Sequence, residues 1–283
     1  MSYEQYRPQG FSFMPPVIKN LLIINGLFYL ATIALENSFR IDLADYLGLH
    51  YFQSQKFSPY QFITNMFMHA DFPHILSNMF ALWMFGYILE NVWGGKRFLI
   101  YYLITGIGAA LLHYTVIYFQ INPDIVMMDR IIADPSNVNL NSFISQHAFH
   151  VDINSGLIYS KFQHFEKNLD LLNRNPENIA TLEAIKGFII DYRIYYLNLP
   201  NVFGASGAVF GILLAFGMLF PNTMLYIYFL FPIKAKWFVL FYGIFELLNG
   251  FYNSDSNVAH FAHLGGMFFG FFLIKYWKRK GIY

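Results

Sequence analysis

Three stretches of this 283-residue chain carry residues whose types and spacing suit acyl-transfer chemistry. The first is Gly204-Ala205-Ser206-Gly207-Ala208-Val209-Phe210-Gly211, a serine set among small residues. A serine hydroxyl is a weak nucleophile until a general base takes its proton, so a base on another element must come within hydrogen-bonding reach. The same small residues have a second use, since Gly207 and Gly211 sit four apart, the spacing by which helices in lipid approach closely with no chemistry implied. The two uses are compatible, because close approach is what a shared proton requires.

The second stretch is Val258-Ala259-His260-Phe261-Ala262-His263-Leu264-Gly265-Gly266, with Gly270 four beyond. Imidazole takes and returns a proton near neutral pH, which makes His263 a candidate general base. Two histidines three apart also suit a metal. No Asp, Glu or Cys lies in that run to complete a zinc shell, so neither a metal nor a cofactor is expected. His260 has the simpler reading of a residue facing a polar cavity. The third stretch runs from His69 through His74 to Asn78. His74 and Asn78 are four apart and share a helix face, so they can aim N–H donors at one point. Donors placed where an oxyanion forms are commonly the largest electrostatic contribution to acyl transfer. The plainer reading is a polar cluster at a helix start near a membrane interface.

Positioning these residues falls to long apolar segments. Hydrophobic residues make up 56% of the chain and charged residues 12%, against roughly 25% charged in soluble domains. About 20 apolar residues cross a bilayer, and six segments qualify: about Val17 to Leu35, His74 to Trp93, Phe98 to Phe119, Val202 to Phe220, Trp237 to Tyr252 and Val258 to Trp277. Each is expected to be helical, because only a helix satisfies its own backbone in lipid. Met224 to Ile233 is apolar but too short to span and reads as re-entrant or interfacial. The expected fold class is all-α, a polytopic membrane protein of six transmembrane helices. It divides into residues 1–119 with spans one to three, an extracytoplasmic helical insertion at 120–201, and residues 202–283 with spans four to six. Charges at helical spacing within the insertion predict two amphipathic helices, Tyr159 to Leu172 and Glu177 to Leu197. They read as a solvated hairpin on the outer surface or as a platform for a substrate or partner.

Charge orients the bundle. With the N-terminus inside, the inner loops hold Arg7, Lys19, Lys96, Arg97, Lys234, Lys236, Lys275, Lys278, Arg279 and Lys280, opposed by Glu4 and Glu90. The outer segments carry more acidic than basic residues, Asp255 among the acidic ones. This is the positive-inside pattern. It implies both termini in the cytoplasm, an active site open to the extracytoplasmic side, and a prokaryotic inner membrane as the setting. The N-terminus lacks the design of a cleaved signal or transit peptide, so the first span is expected to stay in the mature protein. A net charge of +1 with no basic stripe excludes nucleic acid as a partner. The absence of cysteine leaves redox compartment open.

In this topology His74, Ser206 and His263 lie zero to five residues inside the outer ends of their helices, about 8 Å deep at most. A nucleophile, a base and oxyanion donors thus share one layer. At His69 to Asn78 (HADFPHILSN), Gly204-Ala205-Ser206-Gly207, and Ala262-His263 followed by Gly266 and Gly270, the chain resembles the rhomboid family of intramembrane serine proteases. The resemblance covers the six helices and their short loops. It implies a six-helix rhomboid-like bundle, a Ser206 and His263 dyad, and an oxyanion hole of His74, Asn78 and the Ser206 amide. It also implies transmembrane-protein substrates in the lipid bilayer, and a supporting aromatic residue, Phe210, packed on the catalytic histidine where tyrosine is frequent. The loop after the first helix lacks the Trp-Arg pair of many members, and the insertion is atypical. No carboxylate is expected to orient His263, so helix packing and Phe210 must hold its ring. Glu246, the carboxylate well inside a span, reads as a satisfied structural acid, with gating or substrate contact as the alternative. Two rival classes remain: a catalytically silent relative, and a transporter, for which neither repeats nor midplane charge pairs are found.

Overall fold

The computed structural model describes residues 11–227, 231–252 and 259–281. Glu4, Arg7, Asp255 and Val258, used in the charge and span expectations, lie outside the described residues. The helices are α1 (Pro16–Phe39), α2 (Leu43–Leu47), α3 (Gln61–Thr64), α4 (Phe72–Trp93), α5 (Gly95–Ala133), α6 (Asn137–Ile144), α7 (Leu157–Arg174), α8 (Ile179–Asn198), α9 (Ser206–Leu219), α10 (Ala235–Tyr252) and α11 (His260–Arg279). The six expected apolar segments correspond to α1, α4, α5, α9, α10 and α11. By length and composition α1, α4 and α5 can each cross a membrane, and the protein is a helical polytopic membrane protein. α9 is apolar but only 14 residues long, about 21 Å at 1.5 Å per residue.

The chain divides into two compact units. One comprises Met1–Leu49, Pro59–His113 and Val202–Tyr283, the other His50–Ser58 and Tyr114–Asn201. In the first unit α9 is the central element, packed on α4, α10 and α11. Its residues Ala208, Ile212, Ala215 and Phe216 are buried with Leu82, Phe85, Trp93 and Trp277 in one core. α1 is tied to α4 by charge. Pro16 opens α1 where a missing N–H does no harm, and the next two amides donate to Glu90, Val17 N to Oε1 at 2.9 Å and Ile18 N to Oε2 at 2.8 Å. A carboxylate is stabilised at that end by the helix dipole and the open amides.

The fourth apolar helix starts at Ser206 rather than Val202. Gly204 takes φ +134°, a conformation foreign to L side chains, and its N–H donates to Asn65 O at 2.9 Å. The chain therefore turns immediately before the serine. The segment read as re-entrant or interfacial holds an antiparallel hairpin, Met224–Ile227 pairing with Phe231–Lys234, with Tyr226 opposite Pro232. Its Leu-Tyr-Ile and Phe-Pro-Ile runs favour strand over helix, and proline is tolerated because a two-stranded ladder is all edge.

The second unit contains α6, α7, α8 and the part of α5 from Tyr114 onward. α5 continues to Ala133 although the sequence reading ends that span at Phe119. The residues after Phe119, with Pro123 among them, are read from the sequence as the start of the insertion. Ile125, Met128 and Ile131, three apart and buried, carry the helix past it. α7 and α8 match the two expected amphipathic helices within about two residues. Their shared core is aromatic: Phe165 stacks on Phe188 at 4.4 Å, and Phe149 lies 5.0 Å from Tyr192. Asp124 is the polar centre of this unit, accepting from Tyr196 OH at 2.8 Å and facing His147 Nδ1 at 3.1 Å. Burial pushes His147 below the ordinary histidine range, against the pull of Asp124.

Candidate active site

Ser206 is the first residue of α9, half-buried. The first intrahelical bond there is Val209 N to Ala205 O, and no side chain caps the helix end. The amides of residues 206–208 therefore precede the helix's own hydrogen-bond ladder. Over the Gly204 turn two groups converge. A Cβ built on Gly204 would sit 2.9 Å from His74 Nε2 and 3.6 Å from Ser206 Oγ. That small empty volume, bordered by the hydroxyl and an imidazole nitrogen, exists because residue 204 has no side chain.

His74 is the third residue of α4, whose first turn is capped by Asp71 accepting from His74 N at 2.7 Å. Its ring accepts from Ala70 N at Nδ1, at 3.4 Å. An imidazole that accepts at Nδ1 carries its proton on Nε2 when neutral, so the nitrogen beside Ser206 is a donor. One turn on, Asn78 is 6% exposed and its Nδ2 is buried without a hydrogen-bond partner. Buried amide donors are rarely left unpaired, so this one is available to an acceptor that the described residues do not supply. His69 packs edge-on against His74 at 5.0 Å. Burial first, and His74 second, push its pKa down to about 4, so His69 is neutral at physiological pH.

His263, fourth in α11, is 8% exposed. Its ring stacks on Phe210 with centroids 4.1 Å apart and planes 5° from parallel. Phe210 lies one turn beyond Ser206 on α9, so the stack brings the imidazole to the serine's helix. The close crossing of α9 and α11 makes this possible. A Cβ on Gly266 would fall on the carbonyl of Gly207, while on the side toward α5 one on Gly207 would overlap Ala109 and one on Gly270 the Tyr101 hydroxyl.

One expectation is overturned. A carboxylate does reach His263: Glu246 Oε2 on α10 lies 2.8 Å from His263 Nδ1 and 2.7 Å from His260 Nδ1, all three residues being buried. His260 therefore faces a carboxylate and not an open cavity. The third residue that could join the two histidines in a metal shell stands on the neighbouring helix α10, not on α11. Ligand atoms of Glu246, His260 and His263 lie within 4.8 Å of one another. Their 2.7 and 2.8 Å contacts are hydrogen-bond lengths, tighter than the about 3.3 Å between ligands around a tetrahedral zinc with bonds of about 2.0–2.1 Å. The sequence reading also passed over His113 on α5, whose Nδ1 is buried without a partner and which lies within electrostatic reach of His263. An imidazole inside an apolar run was the available signal.

Comparison with known proteins agrees with this architecture. A family model for the Rhomboid domain matches residues 56–120 and 142–280. The chain is similar to Rhomboid-like protein 11, chloroplastic, of Arabidopsis thaliana, 33% identical over 103 residues that cover 33% of this chain and 34% of that protein. It is also similar to an uncharacterized mitochondrial rhomboid protein of Schizosaccharomyces pombe, 40% identical over 92 residues, 29% of this chain and 23% of that protein. The chain thus spans about a third or less of the length of these curated relatives. Both are organellar by name, and neither supports the expected prokaryotic inner membrane. With the Rhomboid domain matched over most of its length, the chain belongs to the rhomboid family, whose members are generally intramembrane serine proteases.

Proposed function

We propose that this protein is a serine endopeptidase that hydrolyses peptide bonds in or near the transmembrane helices of membrane-protein substrates. The observation that carries this reading is the stacking of His263 on Phe210 one turn from Ser206, with His74 Nε2 at the Gly204 turn and Asn78 Nδ2 buried and unpaired on the same helix as His74. His263 Nε2 takes the proton of Ser206 Oγ as the oxygen attacks the scissile carbonyl. The oxyanion accepts from His74 Nε2–H, Asn78 Nδ2–H and the Ser206 amide. Collapse expels the amine, protonated by His263, and leaves an acyl-serine that water hydrolyses by the same steps. A substrate helix must unwind locally, because a bond inside an intact helix is not presented to a nucleophile. The basic loops support an orientation with both termini on one side of the membrane and the site toward the other.

The test is cleavage of a single-pass model substrate in detergent, parent against Ser206→Ala, alongside labelling by a fluorophosphonate probe. Both signals are expected in the parent and neither in the variant. A variant that cleaves at the parental rate would end this reading, and a folded parent that neither cleaves nor labels would identify a silent member of the family.

A further inference from the structure

Glu246 stands in the middle of an apolar helix, 3% exposed, with one carboxylate oxygen facing two imidazoles. A carboxylate taken out of water is expensive unless its lone pairs are filled, so this placement needs both partners or a use. We propose that Glu246 is a positioning residue that completes a Glu246, His263 and Ser206 relay, with His260 as the second hydrogen-bond donor that satisfies the carboxylate. The inference rests on Ser206 and His263 acting as nucleophile and base.

The geometry of the ring carries it. An imidazole must be fixed in two respects to serve as a base: the tilt of its plane, and its rotation within that plane. The parallel Phe210 ring at 4.1 Å fixes the plane, and the 2.8 Å contact at Nδ1 fixes the rotation. With Nδ1–H donated to the carboxylate, the neutral ring has its lone pair on Nε2, the nitrogen a serine proton needs. When Nε2 takes that proton, the imidazolium forms against a carboxylate already in place, with no groups left to reorganise. His260 also presents Nδ1, at 2.7 Å, so the two N–H groups occupy two lone-pair positions of one oxygen. A purely structural acid needs no such convergence on the ring that stacks beside Ser206.

The discriminating substitution is Glu246→Gln, which keeps size and shape. A glutamine amide can donate to Nδ1, and this moves the imidazole proton to Nε2, the wrong tautomer for a base. In a serine triad the corresponding aspartate-to-asparagine change lowers kcat by about 10⁴. A fall on the order of 1000-fold in kcat is expected here, with KM within about threefold of the parent and the melting temperature measured alongside. Glu246→Asp should recover at least about tenfold over the glutamine variant, because the carboxylate is restored at shorter reach. In a His263→Ala background, Glu246→Gln should change the residual rate less than about threefold, since groups acting as one unit are not additive. A glutamine variant with parental kcat, or a loss of equal size with His263 absent, would overturn the relay. If the glutamine variant does not fold, Glu246→Asp decides: reduced kcat at an unchanged melting temperature supports the relay and parental kcat refutes it. Parental activity should survive EDTA; loss restored by zinc would make the three residues a metal site instead. An inactive, unlabelled parent would instead strike at the Ser206 assignment.

Discussion

Asn78 is the clearest single-residue case in the site. Its amide nitrogen is buried and unpaired, a state that usually costs about 1–3 kcal/mol. The adjacent His74 is held in its donating tautomer by a backbone amide that serves no other acceptor in that turn. In the proposed reaction both side chains would meet the oxyanion as preorganised donors, which lower a barrier without rearranging. Asn78→Ala removes the unpaired donor and leaves Ser206 and His263 untouched. The expected result is a kcat about 100- to 1000-fold below the parent with the melting temperature kept or raised, read by cleavage of the model substrate and a thermal scan. A variant that loses stability and keeps kcat would mean that Asn78 packs the helix start and nothing more.

At the scale of elements, the contact between α9 and α11 governs everything the side chains do. Gly204 turns the chain so that α9 opens on Ser206, and Gly266 lets α11 press on the backbone of Gly207. A methyl group at 266 has no flexible neighbour to displace, only a carbonyl, so the helices must separate. Overpacking of this kind typically costs about 1–3 kcal/mol, and the shift also pulls His263 away from Ser206. Gly266→Ala is therefore expected to lower both the melting temperature and kcat, kcat by more than tenfold. Gly26→Ala on α1, where a Cβ meets nothing within 4 Å, should leave activity unchanged and is the matched control. Equal effects of the two would show that the crossing is not specially tight. The hairpin at Met224–Ile227 and the extension of α5 to Ala133 are the elements that periodicity alone did not deliver. Short apolar runs are ambiguous between strand and helix, and a span read from its apolar run ends at Phe119 although the helix continues on a buried stripe.

At the scale of the whole molecule, the sequence makes a topological statement that the chain can test on itself. It contains no cysteine, so one introduced thiol reports one position. Lys96→Cys and Lys278→Cys should react with a membrane-impermeant maleimide from the same side of sealed vesicles, and Asn154→Cys in the insertion from the opposite side. All three positions are exposed in their own units. Reaction of Asn154→Cys from the side of Lys96→Cys would contradict the orientation drawn from the basic loops.

Composition and run length alone determined the helical membrane class, because a bilayer accepts few other solutions for apolar stretches of that length. Local motifs also marked Ser206, His263, His74 and Asn78 as candidates, since each sits beside the small or polar neighbours that the proposed chemistry needs. What lay beyond the sequence was Glu246. Its partners are 14 and 17 residues away on another helix, and a carboxylate in an apolar run looks the same whether it is a structural acid or one that holds a base. Only packing α10 against α11 put one oxygen within hydrogen-bonding distance of both histidines. Hydrogen bonds depend on ångström-scale separations that sequence spacing between different helices does not encode.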